Sequence, residues 1–305
     1  MTYLSNTNRL RIVVMGCVDF SYTLLETLLN LNINGVSIVG VVTKSASSFN
    51  SDFRNLSPIA EKHEIPVYFW DKFKQADFNL WLKEMKPDLL YCFGWSNLLN
   101  EEILQIPLRG TVGYHPAKLP QNRGRHPIIW SLVLGLTRTA STFFMMSQDA
   151  DSGPIISQVD VDISESDDAR LLYESLKKVA CIQVVEITKA FLYGSIEMRQ
   201  QNSHSANYWR KRTKEDGKID WRMSAENIRN LVRALSRPYV GAHCQYGTSE
   251  VKIWKVQSVD CDLINIEPGK VLKIDTTGIL VKCGVGALNI IEHEFPSGLA
   301  VGDYL

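Results

Sequence analysis

The residues best suited to chemistry are a histidine and an aspartate that each follow a predicted strand. His115 ends the strand-like run Thr111–His115, and Asp151 stands in the turn-forming sequence Ala150-Asp151-Ser152-Gly153. An imidazole accepts and releases protons near pH 7 without a large pKa shift, and a carboxylate beside it orients the ring and raises its basicity. Taken alone, the pair is explained equally well by a buried histidine whose hydrogen bonds are satisfied within the core and a carboxylate in an ordinary turn.

The segment around His115, GYHPAKLPQNRGRHP at Gly113–Pro127, favours the functional interpretation. Three prolines fix φ along it, and two arginines add positive charge; these are Pro116, Pro120, Pro127, Arg123 and Arg125. A stiff, cationic loop is better suited to holding an anionic or polar ligand than to connecting two elements.

Short apolar runs that alternate with helical patterns predict an open α/β domain in the first half of the chain. The predicted strands are Leu10–Met15, Val36–Thr43, Val67–Trp70, Asp88–Phe93, Thr111–His115 and Ala140–Met146. The predicted helices are Tyr22–Leu31, Leu56–His63, Phe78–Met85, Pro127–Leu134 and Asp167–Tyr193. Strands of this kind are typical of a parallel sheet covered on both faces, in which ligands bind beyond the carboxyl ends of the strands. His115 and Asp151 both fall at such ends.

The second half of the chain has a different pattern. Gly194–Asp220 is polar and cation-bearing, and a single predicted helix, Ala225–Ser236, follows it. Closely spaced short strands with glycine turns then predict a small β-barrel as a second domain. These strands lie around Ala242–Tyr246, Val251–Val259, Gly269–Asp275, Ile279–Cys283 and Ala287–Glu292.

Composition excludes several classes of function. A chain of 305 residues is long enough for about two domains of ~150 residues each. The formal net charge of +0 gives no reason to expect bulk attraction to nucleic acid or anionic lipid. The six cysteines never form a CxxC pair, so neither a disulfide framework nor a metal site is indicated. No apolar run approaches the ~18 residues of a membrane span, and the N-terminal MTYLSNTNRLR shows no signal peptide. We therefore expect a reduced, cytoplasmic, soluble protein without a metal.

Four motifs, in order along nearly the whole chain, resemble the family of formyltransferases that use 10-formyltetrahydrofolate. They are GCVDFSYTLLETLL from Gly16, HPAKLPQNRGRHPI from His115, DADSGPIISQ from Asp149, and IDWRMSAENIRNLVRAL with RPYVGA from Ile219. The resemblance implies a Rossmann-like catalytic domain over residues 1–200 and a smaller C-terminal β-barrel (OB-like) domain over residues 205–305. It leaves open whether that second domain mediates a homodimer or holds part of an extra ligand site.

The resemblance also implies roles for single residues. His115 corresponds to the histidine that handles the proton and stabilises the tetrahedral intermediate, and Asp151 to the aspartate that supports it. Arg125 corresponds to the arginine that lines the folate site. Further contacts with 10-formyltetrahydrofolate are implied for Phe93, Trp95, Leu119, Ser147, Gln148, Asp149 and Ala150. For Trp95, packing in the protein core is a better explanation of the residue than contact with a ligand.

One position departs from the family pattern. The family carries an Asn two residues before the histidine, where it binds the formyl oxygen, and this chain has Gly113 there. Loss of one such donor costs about 10²- to 10³-fold in rate. The candidates for a replacement are Asn122, Asn97, a protonated His115 or backbone N–H groups that glycine lets come closer. We favour Asn122, although a simple turn residue explains it equally well.

The acceptor amine separates the members of the family. In the enzymes that act on initiator tRNA, the loop after the second strand is rich in Arg and Lys, whereas SASSFNSDFR here holds only Arg54. Residues 205–305 contain fourteen Lys and Arg and twelve Asp and Glu, a net charge of only +2.

Two short segments, GRHPIIW and CFGWS, resemble the nucleotide-sugar N-formyltransferases of surface polysaccharide or lipopolysaccharide biosynthesis. We therefore expect a nucleotide-linked amino sugar as substrate, with no nucleic-acid or membrane partner. The alternatives are a methionyl-tRNA formyltransferase and a folate- or sugar-binding protein with little catalysis.

Overall fold

The computed structural model describes residues 9–47, 51–71 and 75–305. The helices in this part of the chain are α1 (Asp19–Leu29), α2 (Ser57–Lys62), α3 (Gln75–Met85), α4 (Glu101–Gln105), α5 (Pro127–Val133), α6 (Ala169–Tyr193) and α7 (Ala225–Ala234). The strands up to residue 162 are β1 (Leu10–Met15), β2 (Val36–Thr43), β3 (Val67–Phe69), β4 (Leu89–Cys92), β5 (Thr111–His115), β6 (Arg123–Gly124), β7 (Arg138–Met145) and β8 (Ile155–Asp162). The later strands are β9 (Tyr208–Trp209), β10 (Ala242–Tyr246), β11 (Ser249–Val259), β12 (Val271–Asp275), β13 (Gly278–Lys282) and β14 (Ala287–His293).

The chain divides into two compact units. The first contains the described residues up to 124 together with residues 140–161 and 175–208, and the second contains residues 125–139, 162–174 and 209–305. The first unit is built on a seven-stranded sheet and the second on a five-stranded antiparallel sheet. The predicted fold class, an α/β domain followed by a smaller β domain, is confirmed.

The large sheet has the strand order β3-β2-β1-β4-β5-β7-β8, and β1 to β5 pair in parallel. Its central strands are mostly apolar because helices cover both of its faces. Every residue of β4 is buried, and the Tyr91 hydroxyl lies 2.9 Å from Thr188 Oγ1 of α6. In α6 the apolar residues recur every three or four positions and are buried: Leu172, Leu176, Ala180, Val184, Ile187 and Phe191.

One strand direction differs from expectation and matters for the site. β7 runs antiparallel to β5, with Thr142 opposite His115 and Met145 opposite Val112. The prediction of a parallel neighbour is therefore wrong here, since apolar periodicity identifies a strand but carries no information about its direction. Asp151 consequently reaches His115 from the connection between β7 and β8 rather than from the end of a parallel strand.

Most predicted elements agree with the structure to within a few residues at each end, and β1, β2, β5 and β10 agree completely. The short helix α4 and the strand β8 were not predicted from the residue pattern. The N-terminal segment MTYLSNTN and residues 48–50 of the SASSFNSDFR loop lie outside the described residues.

The five-stranded sheet of the second unit has the order β10-β11-β14-β13-β12, and α7 packs against β11. The Ser224 hydroxyl accepts a hydrogen bond from the Asn227 N–H, which caps the first turn of α7. Its apolar face, formed by Ile228, Leu231 and Val232, is buried. Of the helices within the described ranges, none has the length and apolar character needed to cross a membrane.

Candidate active site

His115 ends β5 with its side chain buried. Side chains along a strand alternate between faces, so residues 113 and 115 point to one face and Tyr114 to the other. The Tyr114 ring stacks on Phe20 with 4.2 Å between ring centroids. His115 is only 4% exposed, and its surroundings rather than bulk water determine its hydrogen bonds.

Both ring nitrogens of His115 have protein neighbours. Nε2 lies 2.6 Å from the backbone carbonyl oxygen of Asn122, and Nδ1 lies 3.6 Å from Asp151 Oδ2. A carbonyl oxygen only accepts, so Nε2 carries a proton in this arrangement. In the neutral ring the lone pair is then on Nδ1, facing the carboxylate.

Asp151 is held in a tight turn between β7 and β8. Its backbone has φ +55°, a region that L-residues other than Asn and Asp rarely occupy, and its Oδ2 accepts the Gly124 N–H at 2.9 Å. Two residues later only a glycine fits, because a Cβ at Gly153 would lie 1.8 Å from the Met145 carbonyl oxygen. The Asp-x-Gly sequence therefore fixes one carboxylate oxygen between a backbone N–H and the imidazole.

Residue 113 is a glycine because there is no space for a side chain at this position, not because its backbone conformation demands one. A Cβ at this position would lie 2.8 Å from Met146 Cγ and 2.9 Å from Phe144 Cζ. Phe144 is 3% exposed and packs with Leu119 and Ile155 in a small apolar cluster, with Met146 against it. Apolar side chains thus occupy the position where the resembling family places its Asn.

Replacing Gly113 by Asn is therefore expected to destabilise the protein instead of supplying a donor. Inserting an amide against Phe144 overpacks the cluster, and we expect a loss of about 1–3 kcal/mol in the free energy of unfolding. Thermal denaturation measures it, and the double variant Gly113→Asn/Met146→Ala should recover part of the loss. Wild-type stability of the single variant would contradict this account of the site.

Asn122 contacts His115 through its backbone. Its φ of +63° is one that Asn tolerates, and its N–H donates to Asn207 Oδ1 at 2.8 Å. Its carbonyl oxygen accepts from His115 Nε2. The structure therefore brings His115, Asp151 and Asn122 together.

The residues expected to contact folate lie in different environments. Phe93 and Leu119 are buried, and Phe93 packs edge-on against Phe143. Ser147, Gln148 and Asp149 are exposed and Ala150 is partly so; all four lie between β7 and β8, where Ser147 Oγ and Ser152 Oγ are 2.9 Å apart.

Trp95 carries the clearest sign of an unfilled polar contact. Its indole N–H is buried and has no hydrogen-bond partner among the described residues. Its ring packs edge-on against Trp70 at 5.5 Å, and Lys44 Nζ lies 4.9 Å from its centroid. A buried donor of this kind fits a ligand that brings an acceptor to the end of β4.

Arg125 belongs to the second unit, where its backbone N–H donates to the Trp209 carbonyl oxygen at 3.0 Å. Burial, assisted by the positive charges of Arg125, Arg212 and Lys211, lowers the pKa of the neighbouring His126. Arg212 also stacks over the Trp130 ring at 4.6 Å. This part of the second unit is therefore electropositive, which suits an anionic group.

Two other proton-active groups of the first unit, Cys17 and Tyr114, are poor candidates for the chemistry. Burial raises the pKa of the Cys17 thiol to about 11, and it also raises the pKa of the Tyr114 hydroxyl. Neither group ionises readily near neutral pH, whereas the imidazole of His115 faces a carboxylate and is suited to proton transfer. Within the ranges described, His, Cys, Asp and Glu side chains do not gather in threes with metal-ligand geometry.

Sequence reasoning missed one residue of this site. Gln201 Nε2 donates to the backbone carbonyl oxygens of Asp151 and Gly153, at 2.8 and 2.7 Å. No local pattern connects it with residues about fifty positions earlier in the chain. Only the folded chain reveals the contact.

Two models of protein families match this chain. Residues 10–188 match the family model described as formyl transferase, and residues 211–302 match the formyl transferase C-terminal domain.

Three solved structures share the fold at low identity. An N-formyltransferase from Helicobacter canadensis, in complex with folinic acid and dTDP-3-aminofucose, is 16% identical with a TM-score of 0.69, over 93% of this chain and 100% of that one. WlaRD, a sugar 3N-formyl transferase in the presence of dTDP and 5-N-formyl-THF, is 14% identical with a TM-score of 0.67, over 92% and 97%. HypX from Aquifex aeolicus, in complex with tetrahydrofolic acid, is 17% identical with a TM-score of 0.62, over 92% of this chain and 43% of its own.

Proposed function

The chain belongs to the formyl transferase family, and we propose that it transfers a formyl group from 10-formyltetrahydrofolate to the amine of a nucleotide-linked amino sugar. The observation that carries the proposal is the match, over nearly the full length of both chains, to a solved N-formyltransferase that holds folinic acid and dTDP-3-aminofucose. We also propose that the catalytic domain comprises residues 1–200 and the C-terminal domain residues 205–305.

His115 is the proton-transfer residue in this proposal. When bound, 10-formyltetrahydrofolate supplies the formyl group. An attacking amine must lose a proton, and the imidazole can take it at Nε2 only when Nε2 has its lone pair. This requires the tautomer with the proton on Nδ1, which donates towards Asp151 Oδ2, and it requires Nε2 to exchange the Asn122 carbonyl for the amine. Asp151 favours that tautomer and stabilises the imidazolium once it forms.

Apart from Arg125, the other residues proposed to contact the formyl donor belong to the first unit. The indole N–H of Trp95, which has no hydrogen-bond partner among the described residues, is a donor for a polar ligand atom, and residues 147 to 150, which are exposed or partly exposed, offer backbone groups. Phe93 and Leu119 shape the site from the core. Arg125 is proposed as a folate-site cation on the resemblance alone.

Asn122 is the proposed donor to the formyl oxygen, since apolar side chains block the Gly113 position. Asn122→Asp keeps the shape and the tolerance for φ near +63° but removes the amide donor. We expect kcat to fall by about 10²-fold or more. Asn122→Gly, which relieves any backbone strain, should lose the same amount.

Steady-state kinetics of both Asn122 variants decide this point. Unchanged turnover in both would remove the Asn122 side chain from the mechanism and leave Asn97, a protonated His115 or backbone N–H groups as the donor.

The acceptor is tested by offering two amines to the purified protein with 10-formyltetrahydrofolate. One reaction contains a panel of amino-sugar nucleotides and the other contains charged initiator tRNA, each followed by mass spectrometry. A mass gain of one formyl group on a sugar supports the proposal. Formylation of the tRNA alone would identify the alternative enzyme, and binding without transfer to any amine would identify a binding protein.

A further inference from the structure

The carboxamide of Gln201 uses all of its hydrogen-bonding groups within the first unit. Its two N–H groups donate to the backbone carbonyl oxygens of Asp151 and Gly153, and its Oε1 accepts from Arg123 Nε at 3.1 Å and Nη2 at 2.8 Å. A guanidinium only donates and carbonyl oxygens only accept, so the amide has a single satisfactory orientation.

The arginine at the other side of Gln201 is itself buried and anchored. Arg123 is 4% exposed, its Nη1 donates to the Tyr208 hydroxyl at 2.8 Å, and its backbone N–H donates to the Asn207 carbonyl oxygen at 3.1 Å. Arginine stays protonated in proteins, yet no carboxylate of the described ranges pairs with this one. Its charge is therefore held by neutral acceptors, among which Gln201 takes two of the three hydrogen bonds.

Gln201 fixes the backbone on both sides of Ser152. The neighbouring Asp151 has φ +55°, a conformation that costs energy unless surrounding contacts hold it. The same residue must keep Oδ2 within 2.9 Å of the Gly124 N–H and 3.6 Å of His115 Nδ1. A carboxylate on an unsupported turn would sample other positions, and the orientation of the imidazole would follow it.

We propose that Gln201, held by Arg123, is a positioning residue that sets the Asp151 carboxylate against His115. The proposal rests on the proposed function for its kinetic consequences, because it assigns Gln201 to the same reaction. Its structural consequence, an ordered Asp151 carboxylate, is independent of the substrate.

Gln201→Glu tests the inference because it keeps the acceptor for Arg123 and removes the two donors. It places one carboxylate oxygen, at the position of Nε2, against the carbonyl oxygens of both Asp151 and Gly153, which should release the turn. We expect kcat to fall by about 10- to 100-fold with KM for the amino-sugar nucleotide little changed. Gln200→Glu makes the same charge change at the exposed neighbouring residue and should retain wild-type kinetics.

A double-mutant cycle separates positioning from general stability. If Gln201 acts through Asp151, Gln201→Glu should cost less than about threefold once Asp151→Asn is present. An equal fold-loss in both backgrounds would overturn the proposal.

Hydrogen exchange gives a readout that does not depend on formyl transfer. The Gly124 amide should exchange about tenfold faster in folded Gln201→Glu than in the wild type, since its acceptor Asp151 Oδ2 is no longer held. Should the Glu variant fail to fold, Gln201→Met gives a second measurement of the Gly124 amide, with the acceptor for Arg123 removed together with the two donors. Unchanged Gly124 exchange overturns the inference, whereas failure of the wild type to formylate any amino sugar overturns only the proposed function.

Discussion

His115→Ala is expected to lower turnover by about 10³-fold or more while leaving folate binding close to that of the wild type. The substitution removes the buried ring that joins Asp151 to the Asn122 carbonyl, and with it the nitrogen that can take the proton of an attacking amine. Single-turnover formyl transfer measures the chemical step, and titration with the unreactive analogue 5-formyltetrahydrofolate measures binding.

His115→Gln is the matched control for structure. A glutamine amide can still donate to the Asn122 carbonyl, so the local fold is better supported than in the Ala variant, but it accepts no proton at neutral pH. Both variants should therefore be equally slow. Rates near those of the wild type in either one would refute the assigned role of His115.

Asp151→Asn is expected to reduce kcat by about 10²- to 10⁴-fold with little loss of stability. The Asn oxygen can still accept the Gly124 N–H, so the turn keeps that hydrogen bond. The Asn side chain has to place its oxygen at the Oδ2 position, because that one atom both accepts the Gly124 N–H and faces His115 Nδ1. The ring would then lose the negative charge that favours a proton on Nδ1 and that stabilises the imidazolium.

Asp162→Asn offers a matched control, because it removes a carboxylate that is 80% exposed and pairs with Arg138 on the surface. Exposed ion pairs of this kind contribute little to stability, so this variant should behave like the wild type. If Asp151→Asn also turned over at the wild-type rate, the carboxylate would have no part in orienting His115.

The strands and most helices followed from periodicity because burial on both faces of the sheet requires continuous apolar runs such as Leu10–Met15 and Val36–Thr43. The direction of β7 did not follow from periodicity, because an apolar strand has the same residue pattern whichever way it runs. Since β7 is antiparallel to β5, Asp151 approaches His115 from the turn between β7 and β8. The sequence predicted the same pairing of His115 with Asp151, but from the neighbouring ends of two parallel strands.

Within the candidate site, residue type identified His115 and Asp151 but could not show what fills the space beside Gly113. The clash with Phe144 and Met146 is a matter of packing across the sheet, and it appears only in three dimensions. Gln201 was beyond sequence reasoning for a similar reason: its amide acts on backbone carbonyls, which leave no trace in the identity of the residues that carry them.

Formyl transfer by His115 is tested most directly by following an isotopically labelled formyl group from 10-formyltetrahydrofolate by mass spectrometry, with wild-type protein and the His115→Ala variant side by side. We expect the label to appear on the amino group of a nucleotide-linked sugar with the wild type and not to be transferred by the variant. Label found only on the aminoacyl group of charged tRNA, or transfer to the sugar that His115→Ala supports equally well, would contradict this expectation.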